Sequence, residues 1–528
     1  MARHHLHDAV RAGKMGNVRA ILMDEPCAVL AADATGNLAI HYAARRGNST
    51  MLNLLIQADP STVGEPNYKG ETPMHVAACC ANITAIRALA KVVDPSLLRA
   101  KDDRGNTPLH CAAANGREGC GEAFAELFEM DRAPSHEVNK DGNTPLHLAA
   151  DSSNLRAVKL LLNAAPHIAY TVNSYSETPL HCAARSGNKQ SVEILLRVAP
   201  LAATAQAVNM ITPTYLAAQS GNVEGLELLL TLLPDSAAWA DLEGYQPVMV
   251  AAMNGHAAAV DTLMKVAPDT AEDMEPEDGY NAMHLAVCDG DEDVVEVLLR
   301  HRPSLATTLT ADGESPLHVA LTHFEESGIA HLEDEIAVPI VARLLAVEPS
   351  LATLPAVHAG QEDCLPLHVA AYMGLDGCVR ELLRVAPEAV LARNDVGRTP
   401  LDCALYNDEL FAAMVLLKAP MQKAEQALSS LAQHASVHRE DLYVEAVAHF
   451  APLTAECWSH VPREVAGIEM AFRECVERGT AMDVANLVAR MMPWARAKML
   501  AQLCTLSHVC PSLPSDIMQT IVSLAMGV

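Results

Sequence analysis

The stretch Thr144-Pro145-Leu146-His147-Leu148-Ala149-Ala150 decides how this chain is to be read, because versions of it return along most of its length. Thr72-Pro73-Met74-His75, Thr107-Pro108-Leu109-His110, Thr178-Pro179-Leu180-His181 and Ser315-Pro316-Leu317-His318 restate it. With the histidine as anchor, the slot falls at 7, 41, 75, 110, 147, 181, 215, 249, 284, 318, 368 and 402. The steps are 34 to 37 residues, apart from one of 50 between 318 and 368. Tyr215, Met249 and Asp402 fill three of the slots. A period of this size predicts a solenoid of small units, each needing its neighbours to bury an apolar face.

The residues around the slot give each unit a shape. Thr is a good helix N-cap, and Pro fits the first helical turn, where its missing N–H leaves nothing unsatisfied. Six residues after the slot comes a glycine (Gly47, Gly116, Gly187, Gly221, Gly255, Gly290, Gly374), suited to the left-handed turn that closes a first helix. A second helix follows with paired leucines such as Leu195-Leu196 and Leu228-Leu229, and a proline such as Pro200 or Pro234 stops it. A further glycine ahead of the next Thr (Gly70, Gly105, Gly142, Gly244, Gly279, Gly313, Gly397) predicts a tight hairpin turn.

On these residues the chain resembles the ankyrin-repeat family, whose signature is T-P-L-H-x-A at a period near 33. The resemblance covers roughly residues 4–419 in about twelve units, the first and last being the weakest. One departure is that second helices end in Ala-Pro, as in Val198-Ala199-Pro200, where the commonest family form has Gly-Ala. The expected fold is an all-α solenoid with short β-hairpin turns over 1–419, followed by a small helical domain over 420–528. The long step places extra residues largely in Thr322–Pro339, lengthening a loop or its flanking helices. Two readings of it stay open, a local break in the stack and a partner-specific projection.

Composition agrees. Apolar residues are 50% of the chain but aromatics only 4%, which suits closely spaced helices rather than a strand-rich sandwich. The formal charge is −28, of which −3 belongs to 420–528 and −25 to 1–419. Such a balance argues against binding a phosphate backbone. It is compatible with a basic protein partner. The 14 cysteines show no CxxC pair, and Cys111, Cys182 and Cys403 stand beside the slot as small buried residues, which predicts a reducing compartment. No leader or 18-residue apolar run is visible, so a cytoplasmic placement without a membrane span is expected, with nuclear entry left open.

What the resemblance implies for binding is a concave groove lined by hairpin tips and first helices, holding a protein or peptide. Carried over by motif, the tips include Tyr68, Lys69, Arg104, Tyr175 and Glu243, and the ends of first helices include Arg45, Arg46 and Arg185. Aromatic and arginine side chains are the types enriched at binding hot spots. Nine of the 23 histidines occupy the slot, so their placement reads as structural: the family's imidazole ties neighbouring hairpins together. No phosphate-binding loop, nucleophile elbow or zinc-protease motif occurs, and no catalytic residue, metal site or cofactor is assigned.

The last stretch, Pro511 to Leu524, puts Ile517, Ile521 and Leu524 on one helical face behind Leu513-Pro514. It resembles the opening helix of an F-box, and with Leu500 to Cys504 also a SOCS box, though it is shorter than the first and more closely spaced than the second. That resemblance implies docking on a cullin-ligase adaptor through Leu513, Pro514, Ile517, Ile521 and Leu524. A competing reading gives residues 420–528 a metal-binding or catalytic role.

Overall fold

The computed structural model describes residues 2–419, except 93, 118, 323–329, 359–360 and 408. The expectations for 420–528, including the adaptor residues Leu513, Pro514, Ile517, Ile521 and Leu524, lie outside the described residues. Within them the fold is all-α, with 24 α-helices in successive pairs. After the ten-residue Ala2–Arg11, first helices run six to eight residues, as in Pro145–Asp151 and Pro179–Ser186. Second helices are usually ten, as in Leu155–Ala164 and Val223–Leu232. The stopping prolines do more than end a helix, since Pro166, Pro200 and Pro234 each begin a single 3₁₀ turn.

Small side chains set the spacing. The alanine pairs Ala77-Ala78, Ala112-Ala113, Ala149-Ala150, Ala183-Ala184, Ala217-Ala218 and Ala251-Ala252 are all completely buried. Neighbouring first helices therefore approach on methyl groups alone, which is why so long a chain needs so few aromatics. Several second helices are started by an asparagine: Asn154, Asn188 and Asn222 accept the N–H of Ala157, Ser191 and Gly225 at 3.3, 2.7 and 2.9 Å. Each such cap contributes about 1 kcal/mol.

Two compact units are distinguishable, Met1–Pro276 and Glu277 onward. In the first, eight helix pairs carry slot residues from His7 to Met249. In the second, the described pairs carry His284, His318, His368 and Asp402.

The slot histidines behave as the resemblance implies. At His75, His110, His147 and His181 the ring Nδ1 accepts the backbone N–H of the capping threonine at 3.1 to 3.2 Å. That leaves the ring proton on Nε2, which donates to the next hairpin, at the carbonyls of Asn106, Asn143, Glu177 and Ile211, 3.0 to 3.2 Å away. One imidazole thus caps its own helix and holds the following finger. Burial pushes His110, His147, His181 and His284 down to about 4, so they stand neutral near pH 7.

Three expectations need correction. Gly116 does not take the left-handed conformation; Gly119 does, at φ +86°, because the 37-residue step lengthens this turn. Gly116 is required for proximity instead, since a Cβ there would lie 2.1 Å from the Ser152 carbonyl oxygen. The extra residues of the long step are not confined to 322–339. They produce an 18-residue second helix, Ala330–Val347, with Pro339 inside it, and also a longer finger in which Ala356–His358 pairs antiparallel with Gln361–Cys364. Asp334 ties the long helix into its unit by accepting the N–H groups of Gly377 and Cys378 at 2.7 and 3.1 Å, at the start of helix Asp376–Val385. Finally, this is the one finger among the described residues with paired strands; the others are hydrogen-bonded turns.

Candidate partner-binding face

The fingers of the first unit are built to a rule. The opening residue is Asn or Asp, whose side-chain oxygen accepts the backbone N–H two and four residues on: Asn67 from Lys69 and Glu71, Asp102 from Arg104 and Asn106, Asn173 from Tyr175 and Glu177. The fourth residue is glycine with positive φ at 70, 105, 142 and 244. Successive fingers are then joined by one backbone bond each. The N–H of Tyr68, Asp103, Lys140, Ser174, Val208 and Leu242 donates to the carbonyl of Thr35, Lys69, Arg104, Asp141, Tyr175 and Asn209, at 2.9 to 3.2 Å. Buried amides add a second tie, with Nδ2 of Asn139 on Oδ1 of Asn106 and Nδ2 of Asn173 on Oδ1 of Asn143, both at 3.0 Å.

This ladder fixes the side chains singled out from sequence. Tyr68 is 72% exposed and Tyr175 59% exposed, far more than an aromatic ring needs for stability. Lys69, Arg104, Arg45, Arg46 and Glu243 are exposed too, and none makes an ion pair among the described residues. Several basic groups on the second helices are matched by carboxylates instead, Arg87 with Glu126 at 2.9 Å and Arg156 with Glu122 at 2.7 Å. Tyr68, Lys69 and Arg104 sit on adjoining fingers, since the carbonyl of Lys69 accepts from Asp103. Arg185 departs from the expectation of a free group. Its guanidinium is paired with Glu177 and lies 3.5 Å from Asp151, spanning two units. Burial works to raise Glu177, yet Arg185 and Asn173 hold it below the usual carboxylate range. Arg185 therefore reads as a brace beneath Tyr175.

Sequence reasoning passed over residues 207–211, the sixth finger. Ala207 replaces the Asn or Asp, so the side-chain acceptor is missing. Met210 replaces the glycine yet keeps φ +62°, with Asn209 beside it at +61°. Ser176 likewise stands at +60° in the fifth finger. A side chain in this region of backbone space costs on the order of 1–2 kcal/mol. Val208 and Met210 are 51% and 44% exposed and Leu242 in the next finger 69%. The signal in the sequence was an absence, the lapse of finger glycines between Gly142 and Gly244.

No group of three or more His, Cys, Asp or Glu side chains suited to a metal ion occurs among the described residues, and no helix there is long and apolar enough to cross a membrane. The slot residue Tyr215 substitutes for histidine by donating its hydroxyl to Asp241 at 2.8 Å, again reaching the next finger. Asp402 in the last unit accepts the Thr399 N–H and hydroxyl at 2.9 and 2.8 Å.

A backbone ladder of fingers, alanine-spaced helix pairs and bridging imidazoles are the marks of one repeat class, and comparison with known families agrees. The family described as "Ankyrin repeats (3 copies)" matches in overlapping stretches, 6–98, 41–131, 91–174, 119–209, 180–271 and 248–332. The chain belongs to the ankyrin-repeat family. It is also similar to a Caenorhabditis elegans protein named "Transient receptor potential cation channel subfamily A member 1 homolog", 27% identical over 158 residues. That match covers 30% of this chain and only 12% of the relative.

Proposed function

We propose that this protein is a scaffold that holds a protein or peptide partner along its fingers and the ends of its first helices. The family membership supports protein interaction in general. The choice of face rests on one observation: the two most exposed rings of the first unit, Tyr68 and Tyr175, stand on fingers, and Lys69, Arg104, Arg45 and Arg46 are exposed without ion pairs on fingers or first-helix ends. Exposed aromatic and arginine side chains on a hydrogen-bonded frame lose little entropy on binding and exclude water well. The charge of −25 over 1–419 favours a partner of basic character. The free cysteines agree with a reducing, cytoplasmic setting.

Photo-crosslinking tests the face. A benzophenone side chain at position 68 or 175 of the full chain should capture the same partner, while one at Lys159 on the second helix Leu155–Ala164 should not. Equal capture from all three positions would remove the assignment. A sharper version makes the chain a substrate receptor for a cullin-type ligase, through the resemblance of Leu513, Pro514, Ile517, Ile521 and Leu524 to an adaptor-docking helix. Deleting 511–528 should then abolish recovery of the adaptor, and unchanged recovery would end that reading.

A further inference from the structure

We infer that fingers five to seven form an apolar ledge, built from Tyr175, Val208, Met210 and Leu242, which takes a short extended segment of a partner carrying apolar side chains and a Lys or Arg. This deepens the scaffold reading and rests on it. Three independent features meet here. The four side chains lie on consecutive fingers held in register, Val208 N–H on Tyr175 carbonyl at 3.0 Å and Leu242 N–H on Asn209 carbonyl at 2.9 Å. All four are 44–69% exposed, so the fold does not use their apolar surface.

The second feature is that the finger rule fails here twice in succession. Glycine at 36, 70, 105, 142, 244, 279, 313 and 397 turns eight fingers and Asp363, at φ +54°, the paired-strand one, whereas the adjoining fingers five and six adopt the same left-handed φ at Ser176 and Met210 with a side chain attached. In the sixth finger the helpful Asn or Asp is absent as well. The fold is weakened locally for side chains it does not bury, the arrangement expected where a contact lies outside the fold. Methionine also suits a surface that must adapt to a partner's shape.

Charge decides the kind of occupant. Arg185, whose partner Glu177 closes the fifth finger, is already neutralised by Glu177 and Asp151. Glu243, next to Leu242, is exposed and makes no ion pair among the described residues. An apolar segment with a cation at the Glu243 end complements this; an acidic segment does not.

The test uses the full-length chain and a phage-displayed library of random twelve-residue peptides, with synthetic copies of the enriched sequences for affinity. Enriched peptides should combine apolar residues with Lys or Arg. Val208→Asp should weaken them at least tenfold, and Glu243→Lys severalfold, with Lys159→Glu, on the second helix Leu155–Ala164, within twofold of wild type. Met210→Gly is the discriminating variant: it should weaken binding severalfold while raising the melting temperature by about 2 °C, because strain is removed together with contact. A merely structural Met210 would not move binding and stability in opposite senses. Peptides bound with full strength by Val208→Asp but lost with Arg104→Glu would overturn the ledge and leave the scaffold reading standing. Failure to enrich any peptide, together with no crosslink from position 68 or 175, would overturn both.

Discussion

Fingers two to four and fingers five to seven are made from the same backbone ladder, yet they solve the turn differently. The first group follows the rule: an Asn or Asp folds back on the chain, a glycine makes the left-handed turn, and the tips carry the charged residues Lys69, Arg104 and Lys140. In the second group, two of the three glycines are replaced and the tips are Tyr175, Val208, Met210 and Leu242. The lesson is that inter-finger bonds and slot residues maintain the register, so individual turns are free to depart from their best local sequence. Stability is supplied by the array, and variation is concentrated at the tips.

The largest test of that division is acid. His110, His147 and His181, which hold fingers four to six, titrate at about 4 when folded, against 6.5 for an ordinary histidine. Between those values the unfolded chain binds more protons, so stability is complete above pH 6.5 and drains as pH falls towards 4. The slope is about 1.4 kcal/mol per pH unit for each histidine. Finger seven is held by Tyr215, which does not titrate in that range. Hydrogen exchange at pH 5, corrected for intrinsic rates, should therefore show protection lost at the amides of Ser174 and Val208 before that of Leu242. Uniform loss would break the comparison.

Next in size is Gly142→Met, which copies finger six into finger four. A Cβ at 142 would lie 2.7 Å from the Ser174 nitrogen at φ +75°, so urea unfolding should show a loss of about 3 kcal/mol. A loss under about 1 kcal/mol would mean that any finger tolerates a side chain there. Tyr215→Phe removes one hydrogen bond to Asp241 and should cost about 1 kcal/mol, with local exchange at Leu242 rising. The smallest effect has the opposite sign: Met210→Gly should stabilise by about 1 kcal/mol in the same denaturant series. Destabilisation there would show that Met210 packs for the fold after all.

Much of the architecture could be read before any coordinates, because a helix pair of fixed length puts the same residue in the same place every 34 positions. The bridging role of His147 and the buried position of Cys182 are consequences of that repetition. Other features depended on register between units. Arg185 was recognisable as an interface type, but its capture by Asp151 and Glu177 involves side chains brought together by stacking. Gly116 misled because its unit is longer than the rest. Val208 and Met210 are neither aromatic nor arginine, and what marks them in the sequence is the loss of a small or polar residue at 207 and 210. For the binding-face residues Tyr68, Lys69, Arg104 and Glu243, exposure and geometry are compatible with the proposal, and crosslinking carries the decision.

The slot residue has one more consequence. An imidazole or phenol there faces the finger that comes after it, and none that comes before, so a unit with such a slot has a sending end and a receiving end. Among the described residues, the last slot residue of each compact body cannot send in this way: Met249 in the eighth unit is a thioether, and Asp402 in the twelfth uses its side chain as an acceptor for Thr399. These two positions act as terminators do in a growing polymer, and lengthening either body by duplication would first require restoring a donor at 249 or 402.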